Sequence, residues 1–263
     1  MNNNPNQTSK DAWNTNAEIW DSHMGNDGND FFNDLCWPVL TSFLDPKPDS
    51  SILDVACGNG LTSRRLATLG ANVTAFDFSA NLIEKAKARS NPDNRISYRI
   101  IDATDENQLL ALGEKKFDSA LSNMALFDMA NIEILFHILP KLLKSNGVFA
   151  FSLRHPCFNN ASCTLIAEEW DDGKIHTRYA VKVPRYITSY HTEGLAFRNQ
   201  DKPHLYFERP IQYYMNIGFQ NGFVVDGLEE RAFSPDHPQS HPLSWGGKFS
   251  EIPPVLVMRM KLK

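Results

Sequence analysis

Long apolar runs are missing from this chain, and none approaches the roughly 20 residues that a membrane-crossing helix needs. The polar start Met1-Asn-Asn-Asn-Pro-Asn-Gln7 lacks the apolar centre of a secretion signal, so a cytoplasmic protein is expected. Cysteines are few and unpatterned. Cys36, Cys57, Cys157 and Cys163 show no CxxC spacing, which argues against a disulfide framework and fits reduced thiols. His237-Pro and His241-Pro punctuate a loop without metal-ligand spacing, and no metal is expected. A positive excess is also missing. The formal net charge of -5 offers no general attraction to nucleic acid phosphates or anionic membranes, so neither is an expected partner. There are no internal repeats, and the only low-complexity tract is the Asn-rich start.

What is present is ordinary globular material. The 263 residues, 42% hydrophobic and 22% charged, suffice for one α/β domain with insertions or for two small domains. Residues 1–10 read as a disordered lead. Helical spacing follows over Trp13–Trp20 and Phe31–Leu44, interrupted by the Gly/Asn/Asp-rich stretch 25–30 and closed by Pro46 and Pro48.

From Ser51 a strand–helix rhythm sets in, with strands over Ile52–Ala56, Val73–Asp77, Ile96–Ile101, Phe117–Leu121 and Val148–Leu153. Between them come helices to about Leu69, over Ala80–Arg89 with Ser79 as cap, and over Ile132–Leu143. This pattern predicts a doubly wound, Rossmann-like parallel sheet. The rhythm breaks over about 155–208, which is rich in His, Tyr, Pro and Arg. The runs Tyr186–Tyr190 and His204–Phe207 read there as antiparallel strands of an inserted, β-rich lid. A helix near Pro210–Phe219 and strands at Phe223–Leu228 and Val255–Leu262 complete the order.

In an open α/β sheet, ligands sit beyond the carboxyl ends of the strands. Here the first strand runs into the small-residue turn Ala56-Cys-Gly-Asn-Gly60, and the second ends in Asp77, 19 positions after Gly58. Glycine lets backbone approach a ligand closely, and a strand-end carboxylate suits a ribose diol. Dinucleotide enzymes and other adenosine binders share this much. Three details separate them. Ser63 stands where a dinucleotide fingerprint wants glycine or alanine. Asp54 lies inside the strand beside the turn, where a pyrophosphate would be repelled and a cationic ligand tolerated. Asp102 ends the third strand, placed to accept from an adenine amino group.

Asp54-Val-Ala-Cys-Gly-Asn-Gly60 resembles the glycine motif of class I S-adenosylmethionine-dependent methyltransferases of the small-molecule type. Ala56 replaces the first glycine of that motif. The resemblance implies that Asp77 holds the ribose with Phe78 packing on the adenine. It further assigns the adenine amino group to Asp102 with Ala103 beside it, and the methionine part to Gly58, Gly60 and Asn123. It implies that Trp13 and Trp20 cover the cofactor, although two core residues seven apart on a helix would look the same. It also implies a helical cap at 1–48 and a methyltransferase domain at 49–263. The expected sheet has seven strands, the last antiparallel and inserted between the fifth and sixth. The expected cofactor is S-adenosyl-L-methionine, leaving as S-adenosyl-L-homocysteine.

The acceptor is less legible. Asn123-Met-Ala-Leu-Phe-Asp128 lacks the Asn/Asp-Pro-Pro-Tyr/Phe sequence of base-modifying amino methyltransferases, which favours a small-molecule acceptor methylated at oxygen, nitrogen or carbon. Phe127 and Tyr190 are candidate substrate contacts. Core packing of Phe127 and strand packing of Tyr190 are the plain alternatives. His155, in Arg154-His-Pro156, is the candidate catalytic residue, either taking a proton from the acceptor or standing as a structural histidine in a rigid turn. A non-catalytic S-adenosylmethionine-binding module and a nicotinamide oxidoreductase are the rival readings, and the sequence leaves the oligomeric state open.

Overall fold

In a computed structural model, which describes residues 4–91 and 95–263, the N-terminal lead is helical from Pro5 onward. The expected disorder of residues 1–10 is therefore corrected for 5–10; residues 1–3 lie outside the described residues. The reason is local. The Asn4 side chain accepts from the Asn6 N–H, and Pro5 supplies a pre-set φ at the first helical position. Helix α1 (Pro5–Thr15) passes at Asn16 into α2 (Ala17–Met24), and a π-helical turn at Phe31–Cys36 leads into α3 (Trp37–Leu44).

The strand–helix rhythm follows as the apolar runs require. Strands β1 (Ser51–Val55) and β2 (Asn72–Asp77) are buried almost throughout, because helices cover both faces of the sheet. Strand β3 (Ile96–Ile100) is the exposed edge. Between them, α4 (Leu61–Thr68) and α5 (Ala80–Ala88) turn their apolar faces inward, and the Ser79 hydroxyl caps α5 by accepting from the Leu82 N–H. After a short α6 (Glu106–Leu110), β4 (Phe117–Asn123) pairs parallel to β1 and to β5 (Leu143–Arg154), with α7 (Glu133–Leu142) between. β5 begins earlier than the apolar run suggests. The expected Ser145-Asn-Gly147 turn is an irregularity inside it, with Asn146 at φ 61°.

The segment after β5 forms two hairpins. Strands β6 (Thr164–Asp171) and β7 (Ile175–Lys182) pair with each other alone and lie largely exposed. Their charged residues on both faces erase the alternation that would have announced them. Strands β8 (Tyr190–Gly194) and β9 (His204–Glu208) form the second pair, and β9 is buried throughout. The strand expected at Tyr186–Tyr190 is therefore displaced, beginning only at Tyr190. The Tyr186 hydroxyl instead accepts from the Ile211 N–H, at the start of α8 (Ile211–Gln220).

The chain then returns through β10 (Phe223–Arg231) and β11 (Val255–Leu262). The sheet runs β10-β11-β5-β4-β1-β2-β3, parallel except for β11, which is antiparallel to both neighbours. This is the expected seven-stranded order, with its switch point between β1 and β4. A core of Phe117, Phe136, Phe149, Phe151 and Tyr214 fills one face, and Leu35, Leu40, Ile52 and Val257 are buried on the other. No helix among the described residues is long and apolar enough to cross a membrane.

Candidate active site

A cavity opens at the carboxyl ends of β1, β2 and β4. Its floor is the turn after β1. Ala56 and Gly58 take φ of 55° and 56°, so the backbone folds back on itself and bares the edge of the turn. Alanine in the left-handed region costs about 1–2 kcal/mol, a cost glycine avoids. Gly60, at φ 77°, is a turn residue of another kind. It opens α4, and a Cβ there would strike the Tyr98 hydroxyl, so it packs against β3 and does not line the cavity.

Carboxylates dominate the wall. Buried Asp54 accepts from the Ser63 hydroxyl at 2.5 Å; burial pushes its pKa up to about 7, helped by Asp77 and opposed by Ser63. Ser63 is thus more than a missing glycine, because it holds this carboxylate in place. Asp77 accepts from the Gly58 N–H at 3.0 Å and the Ser79 N–H at 2.9 Å. Burial still raises its pKa to about 6 against those two bonds, with Asp102 adding to the rise. Asp102 is held by Asn6 Nδ2 at 2.7 Å and by the N–H and hydroxyl of Thr104. Asp128 is the fourth acid, and no Lys, Arg or His lines the cavity among the described residues.

That imbalance decides what fits. Four acids with no cation among the described lining residues favour a positively charged ligand, which stabilises their ionised forms, over a pyrophosphate. Cys57 also lines the cavity, but burial and the neighbouring Asp54 and Asp77 hold its thiol well above its ordinary range, so it is no nucleophile.

The roof comes from α1 and α2 through Asn6, Trp13, Trp20 and Met24. Trp13 and Trp20 meet edge to face with centroids 5.0 Å apart. The roof is tied down on two sides. Asn14 Oδ1 accepts from the Ser79 hydroxyl, while Arg89 grips Asp21 through Nε at 2.5 Å and Nη2 at 3.0 Å. Towards β9, Asn16 exchanges hydrogen bonds with the backbone of Lys202, and the Trp13 ring lies 4.1 Å from that of His204.

Of the residues singled out in the sequence, Trp13, Trp20, Asp54, Ala56, Gly58, Asp77, Phe78, Asp102, Ala103 and Asn123 all line this cavity. Gly60, His155, Phe127 and Tyr190 do not. The catalytic reading of His155 is corrected. Its ring is fully buried, with Nδ1 accepting from the Cys157 N–H at 3.1 Å and Nε2 2.7 Å from Glu230 Oε1. Both nitrogens are engaged, Nε2 as donor, and burial lowers the pKa despite Glu230, so the ring stays neutral and structural. Phe127 packs in the core against Tyr206 and under the Arg154 guanidinium. Tyr190 donates to Asn160 Oδ1 at 3.3 Å beneath Arg185, outside the cavity. Sequence reasoning missed Asn6, Asn59 and Asp128. Asn6 hid in the polar lead, and Asp128 ended a segment read for its apolar residues.

Residues 53–151 match the family model described as a methyltransferase domain. Over the strands that build the cavity, the chain is thus similar to a methyltransferase domain. The chain is 25% identical to an uncharacterized protein of Haemophilus influenzae over 85% of each chain. It is 33% identical to a demethylmenaquinone methyltransferase of Clavibacter sepedonicus, over 44% of this chain and 46% of that one. The match thus spans about half of that named relative. An S-adenosylmethionine dependent methyltransferase of Mesorhizobium loti shares the fold, with a TM-score of 0.65 at 23% identity, covering 90% of this chain and all of the other.

Proposed function

We propose that this protein transfers a methyl group from S-adenosylmethionine to a small-molecule acceptor. The observation that carries the reading is the acidic, cation-free cavity at the switch point of the sheet, fitted to a nucleoside with positive charge and no phosphate. Asp77 would bind the ribose hydroxyls, Asp102 and Ala103 the adenine edge with Phe78 against its face, and the Gly58 turn with Asn123 the methionine part. Asp54 sits beneath the turn, and a cation above it would favour its ionised form. When bound, the cofactor supplies an activated methyl on a sulfonium, so the chain's task is alignment and exclusion of water. Trp13 and Trp20 close the site from above, and a small acceptor suits an enclosed cavity better than a macromolecule does.

The test is a screen of small hydroxyl, amine and activated-carbon compounds with purified protein and S-adenosylmethionine, reading release of S-adenosylhomocysteine. Acceptor-dependent release supports the reading. Tight cofactor binding with no release for any acceptor would favour a non-catalytic binding module instead.

A further inference from the structure

Three of the cavity's carboxylates are held by the fold itself: Asp54 by Ser63, Asp77 by two backbone N–H groups, Asp102 by Asn6 and Thr104. Asp128 differs. It ends the 3-10 turn Leu126–Asp128 and is 7% exposed; its Oδ1 has no hydrogen-bond partner among the described residues. Its backbone is pinned, the N–H donating to Ala125 O at 2.9 Å and the carbonyl accepting from the Ser9 hydroxyl at 3.0 Å. The fold fixes this carboxylate in the cavity wall and leaves its oxygen for something else.

Asp128 stands where the cofactor cavity meets the segment after β5. Asp77 faces it from β2, and Arg154, Tyr206 and Glu208 face it from β5 and β9. Arg154 is the nearby cation; it makes no hydrogen bond to Asp128, and its Nε, like Asp128 Oδ1, has no partner among the described residues. Its Nη2 donates to Glu208 Oε1 at 2.5 Å, and its guanidinium lies 4.2 Å from the Tyr206 ring and 4.8 Å from the Phe127 ring. Glu208 also takes the Ala161 N–H. With Arg154 and Glu208 offsetting each other, the Asp128 carboxyl remains open to a ligand that brings a hydrogen-bond donor.

The geometry points to Asp128 as the catalytic residue that receives the acceptor's proton-bearing atom, a neutral hydroxyl or amine. This inference rests on the methyltransferase reading and sharpens its acceptor. In the transfer, the acceptor O–H or N–H bond breaks as its oxygen or nitrogen forms the new bond to the methyl carbon. The methyl–sulfur bond breaks with its electron pair staying on sulfur, and the proton passes to Asp128 and then to solvent. Burial raises the Asp128 pKa well above the carboxylate range, against the pull of Arg154, so the ionised form that takes the proton is favoured by the positive charge of the bound cofactor.

Calorimetry with S-adenosylhomocysteine on the wild type comes first, since no binding there would defeat the methyltransferase reading itself. Asp128→Asn replaces the buried carboxyl at constant shape, so it should fold, melt no lower than wild type at pH 7, and bind S-adenosylhomocysteine within about twofold. With a hydroxyl or amine acceptor from a panel of phenols and aromatic amines, its kcat should fall about a hundredfold or more. The wild-type kcat–pH profile should carry an acidic limb that Asp128→Asn lacks and Asp128→Glu retains. A tenfold or larger loss of S-adenosylhomocysteine affinity in Asp128→Asn would place the carboxylate on the cofactor and overturn the proposal. Wild-type turnover in that variant, or methylation confined to carbon or carboxylate acceptors, would overturn it as well.

Discussion

The two walls of the cavity are built on different terms. At the ends of β1 and β2 and just beyond β3, each carboxylate is met by a hydroxyl, an amide or a backbone N–H of the chain itself. Towards β9 and the turn at Leu126–Asp128, the carboxylate is buried without such a partner, and the nearby Arg154 donates to Glu208 through Nη2. The first wall is finished before any ligand arrives, as a site for one constant cofactor should be. The second becomes satisfied only with a ligand in place. A further contrast lies within the excursion, where β9 is buried against the site while β6 and β7 face solvent. Of the two hairpins, the second is the one that packs beside the site.

The largest expected effect tests the finished wall. Gly60→Ala places a side chain in the left-handed region and against Tyr98, and should lower stability by about 2–4 kcal/mol in denaturant unfolding. An unchanged midpoint would mean that β3 yields freely to the turn behind the wall. Asp77→Ala should raise the dissociation constant of S-adenosylhomocysteine by the equivalent of about 1–3 kcal/mol, read by calorimetry. An unaltered constant would remove Asp77 from the ribose.

Next comes pH. Asp54 at about 7 and Asp77 at about 6 both titrate above the usual carboxylate range when folded. The unfolded chain therefore releases these protons first, and the ligand-free protein loses their contribution to stability as pH rises from about 4 to about 7. A cationic ligand prefers the ionised acids, so affinity for S-adenosylmethionine should rise over the same window. Lowering the pH from 7 to 6 should weaken binding on the order of tenfold, and a flat titration would break the electrostatic account. The smallest effect separates the two sides of β5. His155→Gln should cost about 1 kcal/mol of stability through its bonds to Glu230 and Cys157. Its turnover and cofactor affinity should stay near wild type, and a selective loss of turnover would restore His155 to the chemistry.

The legibility of the sequence followed the same divide. Strand-end acids and the glycine turn could be read because backbone geometry dictates where residues at the ends of parallel strands point. Asp54, Asp77 and Asp102 reach one cavity for that reason. The excursion obeys no such rule. Charges on both faces hid β6 and β7, and Tyr186 spends its hydroxyl on the start of α8 where a strand was expected. His155 misled because strand-end position alone does not say which way a ring turns, and here it turns away from the cavity toward Glu230 on β10. Asp128 gave no signal, since the lack of a partner is a property of the folded surroundings.

Calorimetric titration of the wild-type protein at pH 7 with S-adenosylmethionine and, separately, with NAD tests the central claim most directly. The acidic, cation-free cavity predicts a saturable one-site isotherm for S-adenosylmethionine and none for NAD at the same concentrations. NAD binding as tightly as S-adenosylmethionine, or no binding of S-adenosylmethionine at all, would contradict it.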